Sequence, residues 1–180
     1  MNFSSAYSVI APRDPALRGR ISEHDLNSAV SPPNALIGSR YHPGNPNATA
    51  AASFSVNLTT SEVNQLYPFF DLLSFYIKPL DAPPPGVSVY VKGYSYDQKD
   101  PRVWHVDFIT GYHLPLLVKM REYSGEAWDK LWAVEIWAVY GDDQLDWEFC
   151  IDNLELQFYD HSASNAPYPP SQQATLKAGL

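Results

Sequence analysis

Cysteine occurs once in the 180 residues, at Cys150, which excludes an intrachain disulfide and any zinc or iron–sulfur centre built on several thiolates. A lone thiol of this kind is expected in the core, since free cysteine is among the most buried residue types. Positive charge is also short: 12 Lys and Arg face 20 Asp and Glu, a formal net charge of −8. A surface of that sign repels phosphate backbones and anionic headgroups, so no nucleic-acid partner is expected. No apolar run reaches the ~18 residues of a spanning helix, and no membrane partner is expected. Glycine totals nine, with no Gly-rich phosphate loop and no G-x-S-x-G elbow, which argues against nucleotide-dependent and elbow-type hydrolytic chemistry. The five histidines, His24, His42, His105, His113 and His161, lack H-E-x-x-H or Cys-His spacing. Only His105 and Asp107 share a strand face, and two ligands need a third.

What is present is a globular composition, 45% hydrophobic and 18% charged, at a length that holds about one domain. Prolines and glycines punctuate the amino-terminal part without a sustained period, so residues 1–34 read as an irregular arm, with a first strand over Ala35 to Tyr41. Short strand-like runs then recur: Ala51 to Leu58, Phe69 to Ile77, Val87 to Tyr94, Val103 to Ile109, Leu114 to Arg121, Leu131 to Tyr140 and Trp147 to Phe158. Turn chemistry separates them, including Pro83-Pro84-Pro85-Gly86, Ser124-Gly125 and Gly141-Asp142-Asp143. Val87, Val89 and Val91 alternate with Ser88, Tyr90 and Lys92, the period of a half-buried strand. Glu126 to Val139 can be drawn as a helix, but its β-branched and aromatic content favours a strand. The strand spacing fits a sandwich or barrel, and the expected fold is all-β: an antiparallel β-sandwich with seven to eight strands over residues 35–160. Residues 161–180, polar and proline-bearing, are expected to form a disordered tail.

The last run breaks its own alternation. Trp147, Phe149 and Ile151 are odd, whereas Cys150, Leu154, Leu156 and Phe158 are even. Either a bulge lies near Asp152 and Asn153, or the even set faces the core and carries the Asp152 carboxylate inward. An inward carboxylate needs a cation or hydrogen bonds.

The segments Phe70-Asp71-Leu72-x-Ser74, Val87 to Tyr94, Val134-Glu135-Ile136 and Phe149 to Leu156, with the opening Ser28 to Ala35, resemble the carbohydrate-binding-module-like jelly rolls of fungal secreted proteins. The closing Ile151-Asp152-Asn153-Leu154-Glu155-Leu156 is similar to the "hDDhxh" last strand of that superfamily, h being apolar. The resemblance implies a structural calcium at Asp152, with Glu23 or Asp25 as the available acidic partner near the amino end, and otherwise no cofactor.

Aromatic residues make up 14% of the chain. Rings in loops or on a sheet face stack on the C–H faces of sugars or hold small apolar ligands. Tyr94, Tyr96, Trp104, Tyr112, Tyr123 and Trp128 lie in or beside expected loops and are the candidate ligand-binding residues. Asp142, Asp143, Asp146 and Glu148 cluster beside Trp147, an arrangement that suits either paired-carboxylate glycoside hydrolysis or a solvated hairpin turn. The first 20 residues lack a signal peptide's basic and apolar regions, which points to the cytoplasm. Three N-x-[ST] sequons, at Asn2, Asn47 and Asn57, point instead to a secreted glycoprotein. The leading expectation is a non-catalytic domain that binds a carbohydrate or similar polyol through aromatic side chains. The alternatives are a small cofactor-free cyclase or isomerase with an apolar aromatic pocket, and a structural or interaction protein without a small ligand.

Overall fold

The computed structural model describes residues 1–17, 22–39, 51–56, 69–80, 86–95, 98–141, 145–158 and 174–178. Its strands are β1 (Asn2–Phe3), β2 (Tyr7–Ile10), β3 (Ala35–Gly38), β4 (Ala52–Ser55), β5 (Phe70–Pro79) and β6 (Gly86–Ser95), followed by β7 (Arg102–Ile109), β8 (Leu116–Lys119), β9 (Leu131–Tyr140), β10 (Leu145–Trp147), β11 (Phe149–Phe158) and β12 (Ala174–Ala178). One short helix, α1 (Met120–Ser124), follows β8 directly. Every pairing is antiparallel.

The long pairings sort the strands into two sheets. One runs β7-β6-β9-β4-β1, with β10 also on β9. The other runs β8-β5-β11-β3-β2, with β12 also on β11. Among the described residues, the ladder pair that joins them is Phe70 with Leu131, next to a hydrogen bond from the Leu72 amide to the Trp128 carbonyl (2.9 Å). Leaving aside the peripheral β1, β2, β10 and β12, eight strands remain, and in chain order they lie as 2-7-4-5 and 1-8-3-6. That is the jelly-roll arrangement of two interlocked Greek keys. Alternation places Val87, Val89 and Val91 of β6, Ile136 and Ala138 of β9, Phe75 and Ile77 of β5, and Phe149, Ile151 and Leu156 of β11 in one buried core between the sheets. The Phe54 and Phe70 rings meet across it, 5.9 Å apart.

Several expectations need correction. Residues 1–34 are not irregular throughout, because β1 and β2 extend the sheets and two 3-10 turns lie at Pro15–Leu17 and Glu23–Asp25. Both strands are too short to show a period, so only their partners reveal them. The strand expected over Leu114 to Arg121 is shortened to β8. Pro115 lacks an amide donor, and Met120 to Ser124 coil into α1, which Gly125 ends in the left-handed conformation at φ 78°. Within the expected tail, Ala174–Ala178 pairs with Leu154–Phe158 of β11; the rest of that tail lies outside the described residues.

The arm covers half of one outer face. On the β5–β11 side facing away from the main core stand Lys78, Cys150 and Asp152, and residues 22–31 lie across them. Lys78 Nζ pairs with Asp25 Oδ1 at 2.8 Å and donates to Asn27 Oδ1 (2.9 Å) and to the His24 carbonyl. The arm is pinned from the other side by the His24 and His113 rings, stacked with centroids 4.1 Å apart, and by Asn27 Nδ2 donating to the His113 carbonyl (2.9 Å). A second small core forms beneath it from Ala29, Ala35 and Cys150. Cys150 is buried as expected, and burial pushes its thiol pKa up to about 12.

Candidate functional site

Where the arm stops, the same outer face opens into a groove of about 850 Å³. Its floor is β5, β8 and β11, one end is marked by Ser31 of the arm, and the opposite wall is Arg121 and Glu122 of α1 with the following Ala127, Trp128 and Asp129. Two irregularities in the β5–β11 register shape the floor. Tyr76 pairs with Asp152 and Ser74 with Glu155, so Asn153 and Leu154 oppose Phe75 alone; one step further, Ser74 and Leu72 pair with the adjacent Glu155 and Leu156, leaving Leu73 extra. Asn153 takes a left-handed conformation, φ 49°, which Asn tolerates better than most residues. The bulge expected from the parity break is therefore present, with a second one facing it.

Their consequence is local. Leu154 and Leu156 turn into the core, while Leu73, Ser74, Asn153, Glu155 and Gln157 line the groove. Leu73 is an exposed large apolar side chain, 36% accessible, beside half-buried Tyr76 and Leu117. Polar groups surround this apolar strip. Glu155 Oε2 accepts from Ser74 Oγ (2.7 Å), and Asp71 Oδ1 accepts from the Lys130 amide (2.9 Å). Lys119 Nζ pairs with Glu122 Oε1 at 3.0 Å on the rim. Of four carboxylates in the lining, Asp129 is paired with Arg102 at 2.7 Å, and Asp71, Glu122 and Glu155 stand against the cations of Lys119 and Arg121, so the groove favours a neutral or cationic occupant over an anion.

Among the described residues, those expected from the sequence to bind a ligand do not all come together in one site. Tyr94 lies on the outer face of the other sheet, its hydroxyl donating to Glu135 Oε2 (2.7 Å) and its ring 5.5 Å from that of Trp132. Burial, then the Glu135 hydrogen bond, raises its pKa. Trp104 packs on the core edge, with its ring 6.0 Å from that of exposed Tyr123. Tyr112 sits edge-on against Phe108 (5.2 Å). Trp128 is a core residue, 2% exposed: its Nε1–H donates to Ser124 Oγ (3.0 Å), and its ring lies so close over Gly93 that a Cβ there would meet it at 2.9 Å. It reaches the groove only as part of the wall. Tyr96 lies outside the described residues.

Asp152, where the resemblance implies a calcium, is buried and hydrogen-bonded by backbone amides. It is 1% exposed, but it faces the arm and not the main core. Oδ2 accepts from the Ser31 amide (2.8 Å) and Oδ1 from the Asn153 amide (2.7 Å), so its burial is satisfied without a cation. Asp25, the acidic partner the resemblance offered, is held by Lys78. Among the described residues no group of three or more His, Cys, Asp and Glu is arranged to hold a metal ion. In the acidic cluster, Asp146 accepts from Ser39 Oγ (2.7 Å) and Glu148 is exposed; Asp142 and Asp143 lie outside the described residues. Of the sequons, Asn2 is exposed on β1, while Asn47 and Asn57 lie outside the described residues. No described helix is long and apolar enough to cross a membrane.

Sequence reasoning missed Asp71, Leu73, Tyr76, Glu155 and Gln157 as groove residues. The parity break at Asp152 and Asn153 is the signal that would have found Glu155 and Gln157, since a bulge re-aims side chains; it does not mark the residues of β5. Comparison with protein-family models, curated proteins and solved structures found no match for this chain.

Proposed function

We propose that this jelly roll is a non-catalytic domain that binds a carbohydrate or similar polyol in the groove over β5, β8 and β11. The observation that carries the reading is the double bulge, which sets an apolar strip of Leu73, Tyr76 and Leu117 beside hydrogen-bonding Asp71, Asn153, Glu155 and Gln157. A sugar ring has the same two aspects, C–H faces and hydroxyl edges, and a site of few, convergent polar groups on an apolar bed fits it. Carboxylates and amides on rigid strands accept and donate to hydroxyls with little ordering cost. The likeness to carbohydrate-binding-module-like jelly rolls supports the reading. So does the contact between the two stretches that carry it, Ser31 of the opening and Asp152 of the closing strand. A secreted setting belongs to the same proposal, and exposed Asn2 is its available glycan acceptor.

The test is a glycan array followed by calorimetry. A bound glycan should be lost with Tyr76→Ala and weakened by Glu155→Gln, while Tyr94→Ala, on the opposite sheet, should bind as the parent does. Failure of every neutral or cationic glycan to bind at millimolar concentration would overturn the proposal.

A further inference from the structure

The strand β7 lies at the edge of its sheet. Among the described strands it pairs only with β6, in an unbroken register from Gly86↔Ile109 to Gly93↔Arg102. Natural edge strands of this length are usually blunted by proline, by a bulge or by lysines, because their free amides and carbonyls invite another strand. Between Arg102 and Ile109 there is no proline, no lysine and no bulge.

We propose that the free edge of β7 pairs antiparallel with β7 of a second copy of this chain, about a two-fold axis through Val106. The outward side chains of the strand are Val103, His105, Asp107 and Ile109, all exposed, with Val103 and Ile109 at 56% and 73%. In the register centred on Val106, Val103 faces the second copy's Ile109 and His105 faces its Asp107. The two-fold repeats both pairs, as a self-complementary interface requires. On the inward side Trp104 faces the second copy's Phe108, and Val106 faces itself. The neighbouring same-face registers are disfavoured. Centring on Asp107 sets two aspartates opposite each other, and centring on His105 sets two histidines opposite each other and Val103 opposite Asp107, so charge selects one alignment. The polar pair is already oriented: Ser88 Oγ donates to Asp107 Oδ1 (2.6 Å), and the His105 ring stacks on Tyr90 at 5.3 Å. This surface belongs to the other sheet and is independent of the groove.

Sedimentation velocity of the full chain across micromolar concentrations tests the pairing. The parent should approach twice the chain mass. Val103→Glu and Ile109→Lys, each at an exposed position and each with an unchanged far-UV spectrum, should weaken association roughly tenfold. The double variant V103E/I109K sets each new glutamate opposite a new lysine in the proposed register and should recover the dimer. A parent that stays monomeric, a dimer indifferent to both single changes, or a double variant that fails to recover would overturn the proposal.

Discussion

The two outer faces of the sandwich come from the same alternation and end up in different environments. On the β9–β6–β7 face the polar and aromatic side chains stay near solvent: Tyr90 stacks between Trp137 and His105 at 5.3 Å on each side, and Glu135 accepts from Tyr94. On the β8–β5–β11 face an arm from the opposite end of the chain lies over half of the strands and buries Lys78, Cys150 and Asp152 to 1% exposure each. Residue type therefore does not set the energetic weight of a side chain here; what covers it does. A charge under the arm must be matched atom for atom, whereas a charge on the open face is screened by water.

The largest expected effect is on the covered face. Lys78→Ala leaves Asp25 in a buried site without its cation and should cost about 3–5 kcal/mol in chemical denaturation. Replacing both partners by apolar residues, K78M with D25L, should cost much less. A loss under about 1 kcal/mol for Lys78→Ala would mean that the arm does not bury the pair.

Next comes Asp152→Ala, which strands the Ser31 and Asn153 amides and should destabilise by about 1–3 kcal/mol. Because both carboxylate oxygens are occupied by amides, adding a chelator to the parent should leave its melting temperature unchanged. A chelator-induced drop that Asp152→Ala abolishes would reinstate a cation at this position.

Cys150 sharpens the contrast through pH. Burial raises its thiol pKa from 9.0 to about 12. Above pH 9 the unfolded chain has lost a proton that the folded chain keeps, so stability falls as pH rises through this window, by about 1.4 kcal/mol per unit. Cys150→Ala should flatten the slope by that amount between pH 9 and the folded value. Equal slopes would place the thiol in contact with water. The smallest effect belongs to the open face: His105→Ala, measured at concentrations where the chain is monomeric, should move stability by no more than about 0.5 kcal/mol, and a larger loss would show that face to be covered as well.

Much of the fold was legible because alternation is a local signal. Val87 to Tyr94 announced β6 by its alternation, the β-branched and aromatic content of Leu131 to Tyr140 favoured β9 as a strand, and the parity break near Asp152 pointed to the bulge. The arm's strands were not legible, since two to four residues hold no period; β1 is ordered by its pairing with β4 and β2 by its pairing with β3. The candidate site was less legible still. Expected loop aromatics such as Trp104 and Trp128 went into packing, and the groove came from a second bulge at Leu73, which nothing in its own neighbours marks.

From residue order alone came the all-β class, the faces of the strands, the buried thiol and the irregularity at Asp152. Tertiary structure decided what each outward face meets. Lys78 becomes buried because Asp25, 53 positions earlier, is brought over it, and the Asp152 carboxylate is hydrogen-bonded because an amide 121 positions away is delivered to it. The reason is physical: side-chain direction along a strand follows from backbone geometry within two residues. The layer that lands on a face depends on chain connections that no local period encodes.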